Sequence, residues 1–291
     1  MYRVGIIGLG LMGGSLGLAL HKYLPNIQVY GQDIKKDNID YSITHGIIDK
    51  ELTTSQLKNM DLIFIATPVR KVVGVIKEIY PYLNSTKTII TDMGSTKAGI
   101  IKEVTRFFPD LKFIGGHPMT GKETSGPSVA DPELFKDKNY ILVTEGKDAE
   151  TGIIEDILIK IGARIYYLNP EEHDFMVSFT SHLPQVISTL MINILTRLEK
   201  DYNEITNLIG GGFLDLTRIA ASNPDMWVDI FISNRDNILK QIDLFMTEFN
   251  KIKVSLRNND EEVLYRFMKS GRQRRKDLEK VITGGTQNKK E

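Results

Sequence analysis

From residue 2 to about 168, short apolar runs alternate with longer stretches whose apolar positions recur three and four apart, the pattern of βα units around a largely parallel sheet. The runs predict strands over 2–8, 27–33, 61–67, 87–92, 112–116, 140–144 and 164–168. Between them, helical periodicity covers 69–83, 96–107 and 151–161. The alternation then stops. Asn169-Pro170-Glu171-Glu172 reads as a helix start, with Asn as cap, Pro at the first helical position and acids in the first turn. A long apolar helix is expected from Glu171 to Tyr202, followed by a break at Gly210-Gly211-Gly212 and a new start at Asn223-Pro224-Asp225. That last start opens a helix running towards Leu256, and a final helix spans 261 to about 281 before a polar tail from 284 to 291, expected to be disordered. The division is therefore 1–168, an α/β domain with a doubly wound, mostly parallel sheet; 169–283, all helical; and the tail 284–291.

Within the helical part, Val186 to Leu195 is interrupted only by Ser188, Thr189 and Asn193. A helix apolar on nearly every side must be covered on every side. In so short a region the cover is expected from a second copy of the chain, giving a homodimer through the helical domain. No other segment approaches the about 18 uninterrupted apolar residues of a membrane span. The apolar N-terminus resembles a secretory signal only superficially, since it is rich in glycine and lacks a convincing small-x-small cleavage site. A cytoplasmic chain with no membrane partner is expected.

Composition narrows the chemistry. Lys plus Arg number 37 and Asp plus Glu 37, so nucleic acid is not expected as a partner, because phosphate binding needs a surplus of positive charge. The basic run Arg272, Arg274, Arg275 and Lys276 has Asp277 and Glu279 beside it and reads as a solvated helix face. With no cysteine, thiolate nucleophiles, Cys-ligated zinc and iron-sulfur clusters are excluded, and no metal site is expected.

Gly8-Leu9-Gly10-Leu11-Met12-Gly13 is a G-x-G-x-x-G run that follows a predicted strand and opens a predicted helix, the context a dinucleotide fingerprint requires. Gly8 permits the tight turn, Gly10 lets the backbone approach a pyrophosphate, and Gly13 lets helix pack on strand. Asp33 closes the second strand 20 residues after Gly13. A carboxylate there accepts from a ribose 2′-hydroxyl and repels a 2′-phosphate, which predicts NAD over NADP despite Lys35 and Lys36 nearby. Thr67-Pro68-Val69 and Asp92 to Ser95 fall at the carboxyl ends of predicted parallel strands, where such sheets bind ligands.

His117, flanked by Gly115, Gly116 and Pro118 just beyond a strand, is the candidate base for drawing a proton from a hydroxyl during hydride transfer. Ser95 is either a helix cap or a group beside the nicotinamide. On the helix from Glu171, Asp174, Ser178, Ser181 and Gln185 share a sector at about 100° per residue, with His182 at its edge. Such a stripe is either a buried polar network or the wall of a site, and a kink at Pro184 favours a site. Arg218, three residues after Asp215, forms a helix ion pair or serves as a carboxylate-binding guanidinium.

These residues resemble the prephenate and arogenate dehydrogenases of tyrosine biosynthesis. The resemblance runs through Gly8–Ser15, Ala66–Val69, Asp92–Lys97, Gly116–Gly126, Ser181–Pro184, Gly211–Arg218 and Trp227, in family order and over nearly the whole chain. It implies a Rossmann domain followed by an all-α dimerisation domain. It also implies the reaction: NAD takes a hydride from the ring carbon that bears the 4-hydroxyl of prephenate, and the ring carboxylate leaves as carbon dioxide, giving 4-hydroxyphenylpyruvate. By the same resemblance His117 withdraws the hydroxyl proton, Ser95 orients His117 and the nicotinamide, and Arg218 holds a substrate carboxylate. Glu123 and Asp174 match acids that gate or tune the site, while His182, Gly211 and Trp227 line the substrate pocket. Leu214 stands where many members carry arginine and Gln185 where some carry a second histidine. Neither a fused regulatory domain nor a mutase domain is expected within these 291 residues, and so no feedback through one.

Three other readings compete. Arogenate differs from prephenate only in an amino for a keto side chain, and no residue of the sequence is assigned to that difference. A β-hydroxyacid dehydrogenase would need a lysine in the first helix of the second domain, and none occurs from Asp174 to Leu198. A non-catalytic NAD sensor would not need His117, Ser95 and Arg218 together.

Overall fold

In the computed structural model, residues 2–284 are described, apart from 86, 145 and 147 and the side chains of 282–284. The expected tail beyond 284 lies outside the described residues. In chain order the elements are β1 (Tyr2–Ile7), α1 (Leu11–Tyr23), β2 (Ile27–Gln32), α2 (Lys36–Thr44), β3 (Lys50–Glu51), β4 (Leu62–Ile65), α3 (Val72–Ile79), β5 (Ile89–Asp92), α4 (Ala98–Phe107), β6 (Lys112–Pro118), β7 (Asn139–Val143), α5 (Ala149–Lys160), β8 (Arg164–Leu168), α6 (Pro170–Val177), α7 (Leu183–Leu198), α8 (Gly211–Thr217), α9 (Pro224–Ser233), α10 (Arg235–Arg257) and α11 (Glu261–Gly284).

Eight strands form one sheet in the order β3-β2-β1-β4-β5-β6-β7-β8. The order reverses between β1 and β4, which opens a crevice at their carboxyl ends. The central strands are buried on both faces, and alternate residues serve different cores. Val4, Ile6, Leu62 and Phe64 pack with Leu16 and Leu20 of α1 and Ile154 and Leu158 of α5. Ile7, Ile63 and Ile65 pack on the other face with Val72 and Ile76 of α3 and Ile100 and Val104 of α4. This two-sided burial is why these strands read as unbroken apolar runs. β7 runs antiparallel to β6. The chain between them carries only a single 3-10 turn at Pro127–Val129, without the crossover helix that a parallel return requires. Pairing with β7 also extends β6 to Pro118, so His117 lies in the strand rather than beyond it.

The helical starts follow their caps. Asn169 Oδ1 accepts from the Glu172 amide at 2.8 Å, and Asn223 Oδ1 from the Met226 amide at 3.2 Å. The expected continuous helix from Glu171 to Tyr202 is instead two helices joined by a π turn at Ser178–His182, and the second ends at Leu198. Pro184 has no N–H for the carbonyl of Thr180, and the chain widens just ahead of it. By length and composition alone Pro170–Leu198 could cross a membrane. It carries buried His173, Asp174 and His182, whose polar atoms are bonded within the fold. The helix predicted from Asn223 towards Leu256 is interrupted at Asn234.

The chain divides into a unit over Met1–Ile238 and a second over Leu239–Glu291. The described part of the second consists of the remainder of α10 and α11. Its basic run is solvent-exposed, and Arg275 pairs with Glu279 at 2.8 Å, as a solvated face should.

Candidate active site

The glycine turn joins β1 to α1 at the crevice. Gly8 sits at φ +98°, and a Cβ there would lie 2.6 Å from the Ala66 carbonyl oxygen. A Cβ on Gly13 would lie 1.9 Å from the carbonyl oxygen of Gly8, so helix and strand meet only because neither residue has a side chain. Gly10, the cap of α1, has nothing within 4 Å of its virtual Cβ and no side-chain bond over the helix end. The first amides of α1 therefore face open space, as a phosphate cradle requires. Asp33 is partly exposed beside this turn; its Oδ2 accepts from the Leu9 amide at 2.7 Å and its Oδ1 from the Lys35 amide at 2.8 Å. Lys36 is engaged with Asp40 at 2.8 Å and Glu51 at 3.6 Å. At the end of neighbouring β4, the Thr67 hydroxyl is buried and has no partner among the described residues. An open glycine cradle, a pinned carboxylate and an orphaned hydroxyl at one crevice fit a dinucleotide.

Two strands away, the carboxyl ends of β5 and β6 carry a buried ionic cluster. Asp92, fully buried, accepts from the Gly94 amide at 2.9 Å and the Gly116 amide at 3.2 Å and pairs with the equally buried Lys97. His117 is 8% exposed, and its Nδ1 lies 2.7 Å from Nε2 of His173 on α6. His173 Nδ1 lies 2.8 Å from Oδ1 of Asp174. Asp174 Oδ1 also accepts from the Lys97 amide at 2.7 Å, and Oδ2 from the Ala98 amide at 2.9 Å, so this carboxylate caps α4. Burial pushes His117 well below the ordinary histidine range, and the neighbouring His173, Lys97 and His182 push the same way. Ser95 is half-buried in the loop between β5 and α4. Neither His173 nor the Asp92–Lys97 pair stands out from motif or spacing in the sequence. The available signal is a His-Asp dipeptide directly after the Pro170-Glu171-Glu172 helix start.

The π turn alters the polar stripe. Asp174, Ser178, His182, Gln185 and Ser188 are all at most 3% exposed, whereas Ser181 is half-exposed. Widening the turn advances the register by a residue, which takes Ser181 out of the predicted sector and brings His182 in. His182 Nδ1 lies 3.2 Å from Nδ2 of Asn234, which donates to the Asp174 carbonyl at 2.7 Å. Burial holds His182 down at about 4. Its ring meets Trp227 edge-on at 6.0 Å, and the Trp227 indole N–H is buried without a partner among the described residues. Arg218 lies just past α8 and pairs with Glu123, from the loop after β6, in place of the helix pair with Asp215 that the spacing suggested. Both side chains stay substantially exposed. Gly211 opens α8 and is exposed.

A dinucleotide cradle at the topological switch of a doubly wound sheet, with a neutral buried histidine at the same edge, defines a nicotinamide-dependent dehydrogenase. The model of the prephenate dehydrogenase nucleotide-binding domain matches residues 16–167, and that of the prephenate dehydrogenase dimerization domain matches 169–270. The chain belongs to the prephenate dehydrogenase family. It is 34% identical to prephenate dehydrogenase of Bacillus subtilis, over 94% of this chain and 75% of that one. It is 31% identical to cyclohexadienyl dehydrogenase of Zymomonas mobilis, over 94% of each. Among solved structures, prephenate dehydrogenase of Aquifex aeolicus in complex with hydroxyphenyl propionate and NAD+ superposes with a TM-score of 0.86 at 30% identity, covering 96% of this chain and 98% of that one.

Proposed function

We propose that the chain catalyses the NAD-dependent oxidative decarboxylation of prephenate to 4-hydroxyphenylpyruvate in tyrosine biosynthesis, with His117 as the base. The carrying observation is His117 itself: a buried imidazole at the carboxyl edge of the sheet, held at Nδ1 and kept neutral above all by burial. NAD, when bound over Gly8, Leu9, Gly10, Leu11, Met12 and Gly13, supplies the hydride acceptor. Asp33 receives the ribose hydroxyls, and Thr67, Pro68 and Val69 line the crevice beside them. Ser95 orients the base and the nicotinamide.

His117 withdraws the 4-hydroxyl proton, and the loss of the ring carboxylate as carbon dioxide completes an aromatic ring. Arg218 is the grip on a substrate carboxylate. Its pairing with Glu123 supports a gate in which the incoming carboxylate displaces an acid of this chain from the guanidinium. His182, Gly211 and Trp227 form the wall, the free indole N–H of Trp227 offering a donor to the substrate. Asp174 is 2% exposed with both oxygens engaged, so it tunes the site from behind and makes no direct contact with substrate.

The working unit is a homodimer through the helical domain, residues 169–283, as distinct from the nucleotide-binding domain over 1–168. Leu190, Ile194 and Leu208 are 55%, 45% and 85% exposed in the single chain, and a 340 Å³ cavity beside them is lined by Met191, Leu195, Leu198 and Phe213. A cytoplasmic location follows from dependence on the cellular NAD pool, with neither nucleic acid nor membrane as partner. Steady-state kinetics with prephenate and arogenate, each with NAD and NADP, test the substrate and cofactor choice. The expected result is the highest kcat/KM with prephenate and NAD; an equal or higher value with arogenate or with NADP would overturn that choice.

A further inference from the structure

We propose that His173 is a positioning residue that fixes the tautomer of His117: Asp174 accepts the Nδ1 proton of His173, and His173 Nε2 accepts the Nδ1 proton of His117, which leaves the basic lone pair on His117 Nε2. The inference deepens the reading of His117 as the base and rests on it.

The direction of the chain of bonds is set by groups of known polarity. Backbone amides only donate, and Asp174 takes one on each oxygen, from Lys97 at 2.7 Å and from Ala98 at 2.9 Å. A carboxylate so held is an acceptor, and the imidazole nitrogen 2.8 Å from its Oδ1 must carry the hydrogen. His173 is thereby protonated at Nδ1. Its Nε2 is then an acceptor as long as the ring is neutral, and the Nδ1 of His117 at 2.7 Å must donate to it.

A doubly protonated His173 would reverse the last bond, place the His117 hydrogen on Nε2 and remove the base. Burial opposes that state and holds His173 below its usual range, outweighing the pull of Asp174 in the other direction. The other charged groups facing the pair are Lys97, which also disfavours a second cation, Asp92, which is itself engaged by Lys97, and His182, which burial keeps neutral near pH 7. His173 is fully buried, so solvent offers its ring no alternative partner. The arrangement follows the general logic in which an orienting group behind a histidine selects the nitrogen that works.

The test uses the full-length enzyme labelled with 15N-histidine and long-range proton-nitrogen correlation spectra near neutral pH, with signals assigned through His117→Asn and His173→Gln. The spectrum of the unsubstituted enzyme is expected to show His117 protonated at Nδ1 and bare at Nε2; the opposite tautomer would overturn the proposal whatever the kinetics. His173→Leu removes the acceptor and is expected to lower kcat by ~10-fold or more while KM for prephenate stays within ~2-fold. His173→Gln returns an acceptor oxygen near the position of Nε2 and is expected to recover kcat to within ~3-fold of the parent. Equal losses in the Leu and Gln variants would show that His173 serves packing alone and would overturn the proposal, as would no loss in the Leu variant. If His117→Asn kept normal turnover, the base assignment would fall, while the spectrum would still decide the tautomer.

Discussion

Gly10 and Gly13 are identical letters three positions apart, and the structure gives them different duties. A methyl group at Gly13 would drive into the Gly8 carbonyl, whereas one at Gly10 would enter open space. Gly13→Ala is therefore expected to cost about 1–3 kcal/mol of stability and to weaken NAD binding with it. Gly10→Ala should leave the unfolding midpoint unchanged and raise the NAD dissociation constant ~10-fold or more, because the added carbon occupies only the space left for the phosphates. Thermal denaturation and NAD titration of both variants separate the two effects. A destabilised Gly10→Ala would mean the cradle is filled by protein. At this scale the sequence was most informative where backbone geometry demands glycine, and least where a partner decides the role. Nothing in the spacing near Arg218 pointed to Glu123, which lies 95 residues earlier in the chain.

Among the elements, α6 has a consequence out of proportion to its eight residues. Through Asp174 it caps α4, and through His173 it reaches β6, so one short helix ties the β5-to-α4 connection of the nucleotide-binding sheet to the strand that carries His117. Asp174→Ala would leave two amides and an imidazole N–H without their acceptor, at a cost of about 2 kcal/mol or more. Asp174→Asn keeps one acceptor oxygen and should lose less; denaturant unfolding of the two variants measures the difference, and equal stabilities would contradict the cap. The caps at Asn169 and Asn223 were legible because they depend on four or five consecutive residues. The π turn and the antiparallel β7 were not, since the first depends on how a proline is accommodated in a buried helix and the second on which edge the returning chain finds.

For the molecule as a whole, the two-part organisation was legible because the hydrophobic period changes from strand-helix alternation to helix alone, and that change is written in the order of residues along the chain. In the proposed dimer a second chain covers the apolar face of α7, and only the excess of unpaired apolar surface hints at it. Light scattering during size exclusion should give twice the 32.9 kDa chain mass at micromolar concentration, and a monomer would refute the dimer. Zero net charge is likewise a global sum. Locally, Asp33 stands at the glycine turn, Arg218 pairs with Glu123, and His117 is kept neutral by burial. A neutral imidazole can take a proton, and the rate of NADH formation from prephenate by the parent enzyme and by His117→Asn tests the proposed role of His117 as the base most directly. The parent should form NADH and carbon dioxide in equal amounts, and the variant should fall by ~10² to 10⁴ in kcat with modest change in KM; near-normal turnover by His117→Asn would contradict it.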